Sequence, residues 1–191
     1  MTKNEIKKKL KKTLSPQRYQ HTLNVVDSAI ELGKRYGGNT NEIELAALLH
    51  DCAKDYSSQE LKNIAKEADL ELDAITYSEP QLLHGPVGGY IAKRDYGVTN
   101  QEILNAIIFH TTGRENMTHL EKIIYLADFI EVGRDYPGVN DLRKLSKQDL
   151  DLAIIQALTN TIKYICLLNG MIHIRTVSAR NELLLKNLKS N

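Results

Sequence analysis

What most constrains this chain is its punctuation: helix-start signals recur along most of its length, and the apolar residues between them repeat with helical spacing. Ser15-Pro16, Ser57 with Glu60, Thr99 with Glu102 and Thr118 with Glu121 each place a hydroxyl where a helix needs an N-cap. In the last three a glutamate three residues on can return the bond, as a capping box does. Gly37-Gly38, Gly97 and Gly170 supply stops, because glycine accepts the left-handed conformation that closes a helix. These signals predict a short basic helix over 1–14 with Ile6, Leu10 and Leu14 on one face, then a helix from Pro16 to Gly37. Asn39 or Thr40 caps a third helix, which carries Ile43, Ala46, Ala47, Leu48 and Leu49 up to His50, Asp51 and Lys54. Further helices are predicted from Ser57 to about Ala68, from Pro80 to Gly97, from Thr99 to His110 and from Thr118 to about Phe129. After a loop with Pro137-Gly138, a long helix capped by Ser146 runs to Gly170, and a terminal helix over 177–191 packs on the bundle. The segment Asp69 to Ser78 has no firm assignment. No stretch alternates apolar and polar residues over enough positions to build a sheet, so the predicted class is all-α.

At 191 residues the chain suits one domain, 1–191, able to bury a sizeable core. Its 42% hydrophobic and 26% charged residues are ordinary for a globular protein, and no apolar run approaches the ~20 residues of a membrane span. The N-terminal lysines have no apolar core behind them, so the expected setting is cytoplasmic. A net charge of +1 provides no field for nucleic acid, and Lys7 to Lys12 reads as a solvated face. Cys52 and Cys166 have no metal-knuckle spacing and read as core residues.

Six polar residues interrupt the apolar runs or sit at helix ends: His21, His50, Asp51, His84, His110 and Asp128. Taken singly, each reads as an ordinary hydrogen-bonded core residue. Taken together, four imidazoles and two carboxylates at helix ends are how a helical bundle builds a metal site. Successive helical residues point about 100° apart, so His50 and Asp51 can serve one cation, with Lys54 one turn on along the same wall. The glycines of Gly85-Pro86-Val87-Gly88-Gly89 let a backbone or a ligand come close, or simply pack helices tightly. His119 reads as exposed.

The order His21, then His50-Asp51, then Asp128 resembles the H…HD…D signature of HD-domain metal-dependent phosphohydrolases. More narrowly, Arg18-Tyr19-Gln20-His21-Thr22, His50-Asp51-Cys52-Ala53-Lys54, Leu83-His84-Gly85-Pro86-Val87, His110-Thr111-Thr112-Gly113 and Leu126-Ala127-Asp128 resemble the YqeK family, over Lys12 to Leu185. The resemblance implies a single HD-type helical bundle and a symmetrical diadenosine-tetraphosphate hydrolase that yields two ADP. It implies one metal held by His21, His50, Asp51 and Asp128, with Asp51 bridging to a second metal. His84 and His110 then serve that second metal or touch the scissile phosphate, and the catalytic set is Asp51, Lys54, His84 and His110. Imidazole and carboxylate donors suit two divalent or trivalent ions, iron first and manganese as an alternative. Arg18, His21, Lys54, His84 and His110 are the expected substrate contacts near the metals. Thr111, Arg134, His173 and Arg175 are candidates further out, as are Gly113 and Arg114. Val132 stands where the family pattern has proline, which weakens the expected role of Glu131. With no glycine-rich phosphate loop, recognition falls to the metals, basic side chains and helix ends. Two other readings stay open: a nucleotidase or phosphodiesterase on another nucleotide, and a nucleotide-sensing module without turnover. A homodimer through the first or last helix also stays open.

Overall fold

The structure, a computed structural model, describes residues 1–190. Among these residues there are eleven helices and no strands: α1 (Lys3–Thr13), α2 (Pro16–Tyr36), α3 (Thr40–Leu49), α4 (Ser58–Glu67), α5 (Ala74–Ser78), α6 (Pro80–Tyr96), α7 (Gln101–Phe109), α8 (His119–Ile130), α9 (Val139–Leu145), α10 (Leu150–Leu167) and α11 (Ile174–Ser190). The all-α expectation holds. The centre is built from α2, α3, α7 and α8; α4 and α5 flank α6, which lies on α7, while α9 and α10 pack on α8 and α11 lies on α10. Ala46 to Leu49 of α3, Ile107 of α7 and Ile123 to Ala127 of α8 are fully or almost fully buried. Withdrawing that apolar surface from water drives the helices together.

Several helix starts follow the sequence. The hydroxyls of Thr2, Ser15, Ser57 and Thr118 accept from the backbone N–H three residues on, and Glu60 returns the bond to Ser57. Others differ. The cap of α7 is Asn100 rather than Thr99, because the buried Val98 returns its N–H to Ala92 O and the chain enters the helix one residue later. Ser146 closes α9, a helix the loop reading missed, and Asp149 caps α10. A short helix, α5, occupies part of the unassigned segment, and α11 starts three residues earlier than predicted. Cys166 is exposed, contrary to expectation, whereas Cys52 is buried with its thiol donating to Gly88 O at 3.5 Å.

By length and composition alone α10 could cross a membrane, with a mean hydropathy of 1.2 over 18 residues, against the expectation that no run comes close. Ala153, Ile154, Ala157 and Leu158 are buried in the core, where α10 packs on α8, α9 and α11.

The glycines of α6 serve packing. A Cβ on Gly85 would stand 2.6 Å from the carbonyl oxygen of Ile108, and one on Gly89 would stand 2.5 Å from the Ile108 side chain. Without them α6 crosses close over the end of α7, which brings His84 against His110.

Candidate metal centre

Asp51 is the hub, 3% exposed, and its two carboxylate oxygens face different partners. Oδ2 lies 3.5 Å from His50 Nε2 and 3.6 Å from His21 Nε2, and Asp128 Oδ1 is 3.1 Å from the same His21 nitrogen. Oδ1 lies 3.0 Å from His84 Nε2 and 3.5 Å from His110 Nε2, which are 3.1 Å apart. Two groups of donors result, His21-His50-Asp51 and Asp51-His84-His110, in each of which the atoms fall within 4.8 Å of one another. All six residues singled out in the sequence converge here, from α2, α6, α8 and the ends of α3 and α7.

The local route differs from the one predicted. Helix α3 stops at Leu49, and His50 is its C-cap. Asp51 to Lys54 follow in tight turns, with Cys52 N donating to Leu49 O and Lys54 N to Asp51 O. Lys54 therefore reaches the centre from a turn, not along a helical wall; its Nζ donates to Gln81 Oε1 at 2.7 Å and lies 3.5 Å from His84 Nδ1.

His50 and His110 share one device. Each caps its helix and donates Nδ1–H at 2.7 Å to the carbonyl three residues back, Ala47 O and Ile107 O. The last carbonyls of a helix have no partner within it, so a histidine at the cap meets an acceptor that fixes its tautomer and leaves Nε2 with a free lone pair. His21 reaches the same state differently, donating Nδ1–H at 3.1 Å to Glu131 Oε1.

The chemistry of the donor set fits a cation. His21 Nε2 and His50 Nε2 are buried and make no hydrogen bond, a costly arrangement for a polar atom that a metal ion would relieve. Burial drives the His84 imidazole down to about 4, so it is neutral at pH 7. Burial pushes the Asp51 carboxyl up, but His50, His110 and His84 outweigh it and hold Asp51 well below the ordinary carboxylate range. For Asp128 the His21 ring 3.1 Å away and the Arg134 charge likewise override burial. An ionised carboxylate and a neutral imidazole are the protonation states that metal ligands require, and Asp51, Asp128 and His84 are held in them; the buried His50 ring, beside Asp51, is pulled the other way by that charge, which a metal ion would replace.

Two arginines flank the donors. Arg18 Nη1 donates to Asp51 Oδ2 at 2.7 Å, and Arg134 bonds both the side chain and the backbone carbonyl of Asp128. Both line a cavity of about 370 Å³ that opens beside His21 and includes Gln17, Gln20, Asn24 and Gly133. A separate groove of about 290 Å³ further along α2, between Glu31, Arg35, Ile130 and Lys147, contains none of the donors.

Of the outer candidates Arg134 reaches the centre, whereas Arg114, His173 and Arg175 are engaged elsewhere. Arg114 forms a bidentate pair with the buried Glu121, at 2.9 and 2.7 Å. Both ring nitrogens of His173 are used in a clip between α5 and α11: Nδ1 accepts from Arg175 N, and Nε2 donates to Asp73 Oδ2 at 3.0 Å beside Thr76 Oγ1. Arg175 spreads over the Phe109 ring and lies 3.7 Å from Asp73. Gly113 takes a left-handed φ of 63° at the turn after α7, and Thr111, next to His110, is half-buried.

Sequence reasoning discounted Glu131 and missed the other supporting residues, Asn24 and Arg143. Glu131 is 3% exposed, and besides His21 it accepts from Asn24 Nδ2 at 2.9 Å and Gly133 N at 2.5 Å. Arg143 on α9 donates to Ile130 O, Glu131 O and Arg134 O, tying down the turn after α8. The spacing of Glu131, one turn after Asp128, was the available signal. The Val132 side chain, in the turn that follows, points outward and is 78% exposed.

Residues 18–133 match the HD domain model. A symmetrical bis(5'-nucleosyl)-tetraphosphatase of Halalkalibacterium halodurans is 43% identical over 177 residues, 93% of this chain and 94% of that one. The protein of the same name from Bacillus subtilis is 41% identical over 165 residues, 86% and 88% of the two chains. A crystal structure from Clostridium acetobutylicum, described as a predicted HD superfamily hydrolase involved in NAD metabolism, superimposes with a TM-score of 0.94 at 40% identity, covering 97% of this chain and 98% of that one.

Proposed function

The chain belongs to the HD-domain family, and from that premise we propose that it is a metal-dependent hydrolase that splits diadenosine tetraphosphate symmetrically into two ADP. The observation that carries the reading is Asp51: one buried carboxylate presents each of its oxygens to a different pair of imidazoles. His21, His50, Asp51 and Asp128 would hold one ion; Asp51, His84 and His110 would hold a second. Such a pair supplies Lewis acidity to phosphate oxygens and acidifies water at neutral pH. Imidazole with carboxylate suits iron or manganese better than a thiol-seeking metal.

This chain's own residues do the rest. Water oxygen bonds to one of the two central phosphorus atoms of the tetraphosphate. The bridging P–O bond breaks, and the bridging oxygen leaves with the other ADP. Arg18 and Arg134, both on the cavity wall and bonded to Asp51 and Asp128, are the side chains placed to bind the phosphate chain, because a planar guanidinium binds two oxygens at once; ions held by those carboxylates would compete with the arginines for them. Lys54 Nζ, beside His84 Nδ1, is the positive charge nearest the second group of donors and is assigned to the departing oxygen. Burial lowers its affinity for a proton, which makes it a better donor at neutral pH.

Protein purified without oxygen and loaded with iron(II) or manganese(II) is expected to convert diadenosine tetraphosphate to ADP alone. Production of AMP with ATP, or no turnover with either metal, overturns the assignment. Asp51→Ala is expected to lose metal and turnover together while keeping its helical circular-dichroism signal.

A further inference from the structure

We propose that Glu131 is the positioning residue of the centre: it fixes His21 in the tautomer that exposes Nε2 and locks that ring to the turn carrying Arg134. The proposal rests on the metal reading above but concerns a residue outside the donor set.

His50 and His110 each find a helix-end carbonyl for Nδ1–H. His21 has no such acceptor. It lies in the second turn of α2, where the carbonyls behind it belong to the helix ladder, and the Arg18 carbonyl three residues back also takes the Thr22 hydroxyl. The acceptor for its Nδ1–H comes instead from 110 residues away, Glu131 Oε1 at 3.1 Å. Nε2 then carries a lone pair with no hydrogen-bond partner, 3.1 Å from Asp128 Oδ1 and 3.6 Å from Asp51 Oδ2. Removing Glu131 lets Nε2 take the proton and donate to Asp128, which withdraws the nitrogen from a cation.

The second carboxylate oxygen does different work. Oε2 accepts from Asn24 Nδ2 and Gly133 N, so the same side chain that orients a ligand also shapes the wall of the cavity. Arg134 N donates to Glu131 O, and its guanidinium holds Asp128. His21, Asp128 and the arginine offered to phosphate thus form one hydrogen-bonded unit. Carboxylate partners of metal-bound histidines typically change affinity about 10- to 100-fold when removed.

Two measurements test this on the full chain. In the metal-free protein, long-range proton–nitrogen-15 spectra of the imidazoles report tautomers directly. Wild type is expected to show His21 protonated on Nδ1, and Glu131→Ala to shift it to Nε2. Titration with manganese(II) alone is expected to show about 10- to 100-fold weaker binding in Glu131→Ala. An Nε2-protonated His21 in wild type, an unchanged tautomer in Glu131→Ala, or unchanged manganese affinity overturns the proposal. Should the alanine variant not fold, Glu131→Met, which keeps the side-chain volume but offers Nδ1–H no oxygen, decides: a folded protein in which His21 stays protonated on Nδ1 overturns it. Wild type that binds no manganese or iron sinks the metal reading, whereas the tautomer measurement judges Glu131 without any metal.

Discussion

At the scale of single residues, the centre depends on where protons sit. Four imidazoles and two carboxylates in one buried volume are tolerable only if each donor and each lone pair has a destination. Three histidines obtain this by donating Nδ1–H to a fixed oxygen, two of them local and one distant. His84 is different, because its Nδ1 faces the Lys54 ammonium at 3.5 Å rather than an acceptor. In the proposed reaction Lys54 serves the substrate rather than a metal. Lys54→Met is expected to reduce kcat by about 10²- to 10³-fold, the cost of one positioned charge partner, and to leave metal content by elemental analysis unchanged. A near-wild-type kcat would remove Lys54 from the mechanism.

At the scale of elements, the centre is held by closeness of approach. The second pair of donors exists because α6 crosses the end of α7 where Gly85 has no Cβ to strike Ile108 O. Gly85→Ala forces backbone against backbone, and overpacking of this kind costs about 1–3 kcal/mol. In a chain of this size that lowers Tm by roughly 2–10 °C. Gly89→Ala meets the side chain of the same Ile108, which can change rotamer, so its Tm is expected to fall less. Equal losses in thermal melts would show that the α6–α7 contact does not depend on the backbone approach. The caps make the same point. Ser57 and Glu60 were legible because a capping box is complete within four residues. Glu121 looked like the return half of a box at Thr118 but pairs with Arg114 instead, because a buried carboxylate takes a bidentate guanidinium over an exposed N–H. Helix α9 escaped notice because seven residues give too little periodicity, yet it delivers Arg143 to the carbonyls at the end of α8.

At the scale of the whole molecule, the last helix is joined to the bundle by a clip as well as by its apolar face. Asp73 accepts from Thr76 N, from the Thr76 hydroxyl and from His173, with Arg175 nearby. Burial pushes the Asp73 carboxyl up, but the Thr76 backbone N–H, His173 and the Thr76 hydroxyl together hold it well below its ordinary value. A carboxyl depressed in the folded state stabilises at pH above its unfolded value of about 3.9, and the contribution disappears as pH falls through the folded value. Wild type is therefore expected to lose Tm more steeply than Asp73→Asn below about pH 4. Because the side chain is 39% exposed and screened by solvent, the difference is modest. Parallel Tm curves for the two proteins would show that the clip adds no acid-sensitive stability.

The sequence by itself determined what could be decided within a few residues: the all-α class, most helix starts, and the six donors, which betrayed themselves as polar groups breaking apolar runs. It could not determine what those groups face. His21 and Glu131 are 110 residues apart, and His173 and Asp73 are 100 apart; no local pattern records such a meeting, since it is set by how helices cross and pack. Packing alone assigned Arg18 and Arg134 to the donors, withdrew Arg114 and His173 into structural bonds, and turned the pair His50-Asp51 from neighbours on a helix into a cap and a hub. The two oxygens of Asp51, each aimed at its own pair of imidazoles, are a property of the fold.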